Sequence, residues 1–250
     1  MYAALRATVV HRVCFYLAVR YSRPYRPHAT KEWNFSQYDP GAVKGQEFVS
    51  NSPGDEERWQ KVKEQVPEDS ATKCKCHWLG RRDFKITLIG GEYLFKLDEH
   101  MVIGPLDRLP PDRRVVLSLL NYLAGASGPE VNLSGRLVPE KVLPGGDRFF
   151  TGGHALSRRP ILEAYGQDGA GFLDRASRLG AEIAASETAA RSISLMLLPK
   201  IPVQVTLSEQ DEEFPAELFY AFDASAADLA PLGIISALIG LLNDQLAAWR

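Results

Sequence analysis

The stretch from Asp83 to Leu97 constrains the fold of this chain more than any other. Asp83-Phe-Lys-Ile-Thr-Leu-Ile89 and Glu92-Tyr-Leu-Phe-Lys-Leu97 alternate apolar and polar residues, and Gly90-Gly91 stands between them. Two-residue hairpin turns need positive φ, which glycine supplies without a steric penalty, so the pattern predicts an antiparallel hairpin. Closing the turn at Gly90-Gly91 pairs Ile89 with Glu92, Leu88 with Tyr93, Ile86 with Phe95 and Phe84 with Leu97. The last three pairs put apolar side chains on one face, as a half-buried sheet requires. Lys85 and Lys96 then pair on the opposite face, which is expected to be wet.

The rest of the C-terminal four-fifths alternates between the same two kinds of signal. Residues 55–66 (DEERWQKVKEQV) read as a helix capped by Asp55, with Trp59, Val62 and Val66 at helical spacing. Pro110-Pro111-Asp112 opens a helix through about Ala124, with Val116, Leu119, Leu120 and Leu123 as its apolar stripe. A further helix is expected from Gly171 to Ala185, and a last one from Pro231 to Trp249. Strands are expected over Ser192–Leu198, Val203–Ser208 and Glu217–Phe222. Strands joined by short turns beside separate helices predict an α+β fold, an antiparallel sheet built from hairpins with helices packed against it. This domain is assigned to residues 55–250.

Residues 1–54 read differently, as a basic arm and an irregular linker. Residues 1–53 carry seven Lys/Arg against three Asp/Glu, a balance of +4, while the remaining 22 and 28 give −6. No acid precedes Glu32, whereas Arg6, Arg12, Arg20, Arg23 and Arg26 do. Such an acid-free stretch suits an organelle-targeting segment over residues 1–31, an arm that docks to a partner or membrane surface, or a poorly ordered tail. Pro24, Pro27, Pro40, Gly41, Gly45 and Pro53 then mark the linker, and Trp33, Phe35 and Tyr38 offer it apolar docking points. The net charge of −2 excludes a nucleic-acid-coated surface, and no apolar run reaches the roughly 20 residues of a transmembrane span. Three cysteines are too few for a disulfide scaffold and point to the cytoplasm or another reducing compartment.

Candidate site residues fall into three groups. Asp211, Glu212 and Glu213 lie between two predicted strands, with Asp223 and Asp228 about one strand later. Converging carboxylates would bind a hard cation or raise one another's pKa, whereas the plain alternative is a solvated turn, a strand-end acceptor and a helix cap. Gly145 and Gly146, followed by Asp147 and Arg148, would let backbone approach a ligand or would simply form an obligatory turn, and His154 follows nearby. Cys74, Cys76 and His77 resemble half of a metal site, but the one-residue gap between the thiols is shorter than structural zinc sites use. No nucleophile elbow, paired-His metal motif or dinucleotide fingerprint appears.

Five segments carry a resemblance. Leu119-Leu-Asn-Tyr-Leu123, Leu143-Pro-Gly-Gly146, Ile201-Pro-Val-Gln-Val-Thr-Leu207, Asp211-Glu-Glu-Phe-Pro215 and Phe222-Asp-Ala-Ser-Ala226 occur in an order and spacing that resembles the domain of unknown function 3786 family of anaerobic bacteria and archaea. The resemblance covers roughly Glu56 to Leu246. It implies no assigned activity. Some members are joined to a cysteine-rich iron–sulfur module and relatives occur near corrinoid and one-carbon metabolism, which implies an accessory role by association. This chain lacks that module, so neither an iron–sulfur cluster nor another cofactor is expected. Ser208-Glu209-Gln210 also stands where the family tends to have Trp-Glu-Gly, and Asp228-Leu-Ala-Pro231 where members read toward His-Tyr-Leu-Pro.

These readings lead to a non-enzymatic binding or accessory subunit with a protein partner. The alternatives are a carboxylate-based metal- or ligand-binding enzyme, and a component of an organelle or large assembly docked through its arm.

Overall fold

The computed structural model describes residues 45–50, 55–184 and 190–248. The arm over 1–31, the linker aromatics and Cys14 lie outside the described residues. Among the described residues, ten strands build two antiparallel five-stranded sheets. The first holds β1 (Gln46–Val49), β2 (His77–Trp78), β3 (Asp83–Leu88), β4 (Gly91–Lys96) and β5 (Met101–Gly104), in the order β1-β5-β4-β3-β2. The second holds β6 (Leu137–Pro139), β7 (Glu182–Ala184), β8 (Arg191–Leu198), β9 (Ile201–Ser208) and β10 (Glu217–Asp223), in the order β6-β10-β9-β8-β7. The helices are α1 (Glu56–Lys63), α2 (Pro67–Cys74), α3 (Arg113–Gly125), α4 (Gly146–Phe149), α5 (Arg159–Tyr165), α6 (Gly169–Arg178), α7 (Ala226–Leu229) and α8 (Leu232–Ala247). The architecture is α+β.

One continuous apolar cluster runs from Trp59 to Leu246 and takes side chains from both sheets and most helices. At its centre α3 packs on α8, which also receives α5 and α6. Asp112 caps α3 by accepting the backbone N–H groups of Arg114 and Val115, so the helix begins at Arg113 and Pro110-Pro111 precede it instead of filling its first turn. Along α8, Ile235, Leu238, Ile239, Leu242 and Leu246 are all buried. Each such side chain contributes about 2 kcal/mol of burial free energy. No helix among the described residues is long and apolar enough to cross a membrane.

The hairpin forms, but two residues out of the expected register. Phe84 opposes Phe95, Ile86 opposes Tyr93 and Leu88 opposes Gly91, so the turn is Ile89-Gly90. A slip of two leaves every side chain on its original face, so the same apolar residues still reach the core. The selecting contacts are tertiary. Ile89 is buried at φ +47°, and its N–H donates to the Leu197 carbonyl of β8 at 3.0 Å. Gly90 sits at φ +70°, where a Cβ would collide with the Leu179 carbonyl oxygen. A β-branched residue in the left-handed region is strained, and the second sheet holds it there. Lys85 and Lys96 consequently do not pair. Lys85 opposes Leu94 and bonds Glu92 at 2.9 Å, while Lys96 opposes Asp83 and reaches Glu99 at 3.0 Å. Leu94 and Lys96 are buried, so that face is not uniformly wet.

Four further expectations change. Residues 46–49, read as linker, form the edge strand β1 against β5. Asp55 makes no side-chain cap at α1; it is fully buried and binds Arg113 at 2.8 and 3.3 Å, tying α1 to α3. The helix expected over 171–185 is α6, which ends at Arg178 because Gly180 takes φ +81°, and Ile183 belongs to β7. Asp228 does not cap the last helix: it lies within α7, and Pro231 precedes α8 with no side-chain cap.

Candidate functional site

The two ends of β10 settle where the predicted carboxylates go. Glu217 opposes Ser208 at one end, beside the turn of Asp211, Glu212 and Glu213, while Asp223 opposes Leu137 at the other. Six strand steps separate them by about 20 Å. The acidic turn is exposed, and Asp211 Oδ1 accepts the N–H groups of Glu213 and Phe214. It organises its own turn. Phe214 is left 63% exposed there, beside a shallow groove of about 500 Å³ lined by Leu162, Gly166, Asp168 and Gln210.

Asp223 does the opposite. Its carboxylate is buried and accepts from Ser134 N–H at 2.9 Å, Gly135 N–H at 2.8 Å, Ser225 N–H at 3.0 Å and Ser225 Oγ at 2.6 Å. Burial pushes its carboxyl up, but the hydrogen bonds from Ser225 and Ser134 outweigh that and hold it below the usual range. Asp223 thereby pins the irregular segment after α3 to the end of β10.

The glycine-rich region has backbone constraints of its own. Gly145 takes φ +75°, and a Cβ on Gly146 would collide with the Glu140 carbonyl oxygen. Asp147 and Arg148 are exposed, and exposed His154 stacks on Phe149 with ring centroids 5.0 Å apart.

A cavity of about 490 Å³ opens beside the β8–β9 turn, bounded by the end of α2, the C-terminal part of α3, the segment 125–131 and α7. Cys74, Tyr122, Lys200 and Asp228 all line it. Lys200 is the two-residue turn's second member, after Pro199. Its side chain is 4% exposed, and its Nζ lies 3.8 Å from the Glu130 carboxylate, which is itself 60% exposed. Beneath it, α2 and α3 are laced reciprocally: Tyr122 OH donates to the Cys74 carbonyl at 2.9 Å, and Cys74 Sγ to the Tyr122 carbonyl at 3.4 Å. Lys73 Nζ donates to the carbonyls of Ala126 and Gly128, fixing one rim.

The chemistry of this floor is that of protonated groups. Burial pushes the Cys74 thiol up to about 12 against the pull of Lys200 and Lys73. Burial, with Cys74 beside it, raises Cys76 as well. Burial and the two thiols raise Tyr122, opposed by the Lys200 backbone N–H on its phenol oxygen. A thiol is nucleophilic or metal-binding as thiolate, which this setting disfavours. His77 is exposed on β2 opposite Lys85. Among the described residues, no group of three His, Cys, Asp or Glu side chains is placed to hold a metal ion.

Cys74 and Asp228, assigned from sequence to separate groups, therefore meet at one cavity, whereas the acidic turn and the glycine loop lie elsewhere. Lys200 went unnoticed in the sequence. A turn lysine is exposed by default, and only the packing of α2, α3 and the 125–131 segment over it makes it otherwise.

A family model described as Domain of unknown function (DUF3786) matches residues 66–244. No curated protein and no solved structure matches the chain. The matched region contains the whole cavity lining. Three of the five segments singled out in the sequence meet near it: Tyr122 comes from the first, Ile201 directly follows Lys200, and Phe222–Ala226 carries Asp223 and leads into Asp228.

Proposed function

The chain belongs to the DUF3786 family, a domain of unknown function, and on that premise we propose that it is a binding protein rather than a catalyst, with its ligand site in the cavity beside the β8–β9 turn. The observation that carries this reading is Lys200: an ammonium group whose side chain is 4% exposed, facing a cavity and paired only at 3.8 Å. The Lys200 ammonium is not sealed from the cavity and its one contact is longer than a hydrogen bond, so its N–H donors are open to an incoming partner. A volume near 490 Å³ falls within the span of small-molecule sites. The thiols and phenol nearby are held protonated, which favours recognition over nucleophilic chemistry.

Ligand-observed NMR of the full chain against a small-molecule library tests this. The reading predicts saturable binders that Lys200→Met loses. A library without binders, or binders indifferent to that substitution, would overturn it.

An accessory role in a larger complex is the second reading, favoured by exposed Phe214 on its self-organised acidic turn. Exposed aromatics on rigid turns suit protein contacts. The complex is expected to fall to monomer mass on size-exclusion chromatography when Phe214→Asp replaces the native chain in its source cells; an unchanged elution volume argues against it.

A further inference from the structure

The segment that roofs the cavity is clamped at both ends and loose between them. At its start Lys73 Nζ holds the carbonyls of Ala126 at 2.9 Å and Gly128 at 3.1 Å. At its end the Asp223 carboxylate holds the N–H groups of Ser134 and Gly135. Among the described residues, no backbone hydrogen bond fastens residues 129–133 in between. Glu130 sits in this strap, and its carboxylate reaches the Lys200 ammonium from an exposed position.

Resting on the binding reading above, we infer that the ligand is a small carboxylate and that Glu130 is its built-in stand-in, holding the Lys200 position until a ligand carboxylate replaces it. Three observations support this class of ligand. The group already seated at Lys200 is a carboxylate, so the position accepts that charge and shape. The 3.8 Å separation exceeds a hydrogen bond, so a freely placed carboxylate can approach closer than one tethered to the strap. Lys73, the other lining cation, is committed to two backbone carbonyls, while Asp228 adds negative charge at the exposed side. One available ammonium beside an acid suits a single negative charge better than the double charge of phosphate. Glu130 can leave because neither clamp has to break. Exchange of one carboxylate for another then couples occupancy to the position of the strap, and the apparent affinity falls by the fraction of time Glu130 holds the anchor.

Titration of the ¹⁵N-labelled full chain with acetate, benzoate, benzamide and inorganic phosphate tests this, read from amide shifts of residues 129–133 and from the fitted Kd. The inference predicts that acetate and benzoate shift the strap amides while benzamide and phosphate do not. It also predicts that Glu130→Gln tightens benzoate by roughly two- to fivefold, the worth of an ion pair with an exposed carboxylate, and that Lys200→Met loses it. Because Glu130 is exposed, its substitution leaves the fold intact and keeps the test open if Lys200→Met fails to fold. Equal benzoate affinity in wild type and Glu130→Gln would overturn the stand-in while leaving the binding site standing. Phosphate or benzamide binding in place of carboxylates would overturn the ligand class. No binding by any probe to either protein, together with an empty library screen, would bring down the binding reading itself.

Discussion

The two ends of β10 carry the same chemistry to opposite outcomes. At one end three consecutive acids, Asp211 to Glu213, stand in solvent, and only Asp211 has work, bonding two N–H groups of its own turn. At the other a single acid, Asp223, is buried and receives four hydrogen bonds, two of them from the end of the strap over the Lys200 cavity. Charge density in the sequence points to the first end, and structural consequence lies at the second. A run of acids is inexpensive to maintain because water solvates it, whereas a buried acid persists only where the backbone is shaped around it.

The sharpest way to break this comparison is substitution at each end. Asp223→Ala orphans three backbone N–H groups, those of Ser134, Gly135 and Ser225, and is expected to cost about 2–4 kcal/mol, read by urea or thermal unfolding. A loss no greater than that of Asp211→Ala would erase the distinction. Acid titration comes next. Asp223 stays ionised at lower pH in the folded chain than in the unfolded one, so its contribution is complete above the ordinary aspartate range near about 4 and disappears as pH falls through the lower folded value. Asp223→Asn is therefore expected to flatten the acid limb of stability against pH, and an unchanged limb would contradict it. Asp211→Ala should cost about 0.5–1 kcal/mol, from two hydrogen bonds at an exposed turn. Smallest of all, Glu212→Gln and Glu213→Gln should stay within about 0.5 kcal/mol in the same unfolding assay.

The legible parts of this chain are those governed by local periodicity. The stripes of α3 and α8 and the alternation of β3, β4, β8 and β9 are visible because a half-buried element repeats its apolar residues at its own period. The hairpin register was not visible, since a two-residue slip satisfies the same pattern and the arbiters, Leu197 and Leu179, lie about a hundred residues away in sequence. The end of α6 was marked by Gly180, but the apolar Ile183 beyond it kept helical spacing and masked the stop. The candidate site was half legible. Asp223 as a backbone acceptor follows from its place at a strand end, and Cys74 and Asp228 stood out by residue type. Their meeting, and the burial of Lys200, depend on helices and a strap that fold over the β8–β9 turn, which no local pattern encodes.

The seating of Ile89 against Leu197 reaches beyond the hairpin. One strained turn of the first sheet is latched into the second through a backbone hydrogen bond, with Gly90 pressed against the end of α6. The latch holds only while both sheets are formed, because loss of either one frees Ile89 to relax. Melting should therefore spread from one sheet to the other as a single event, and the Ile89 amide should exchange with deuterium only at the rate of global opening.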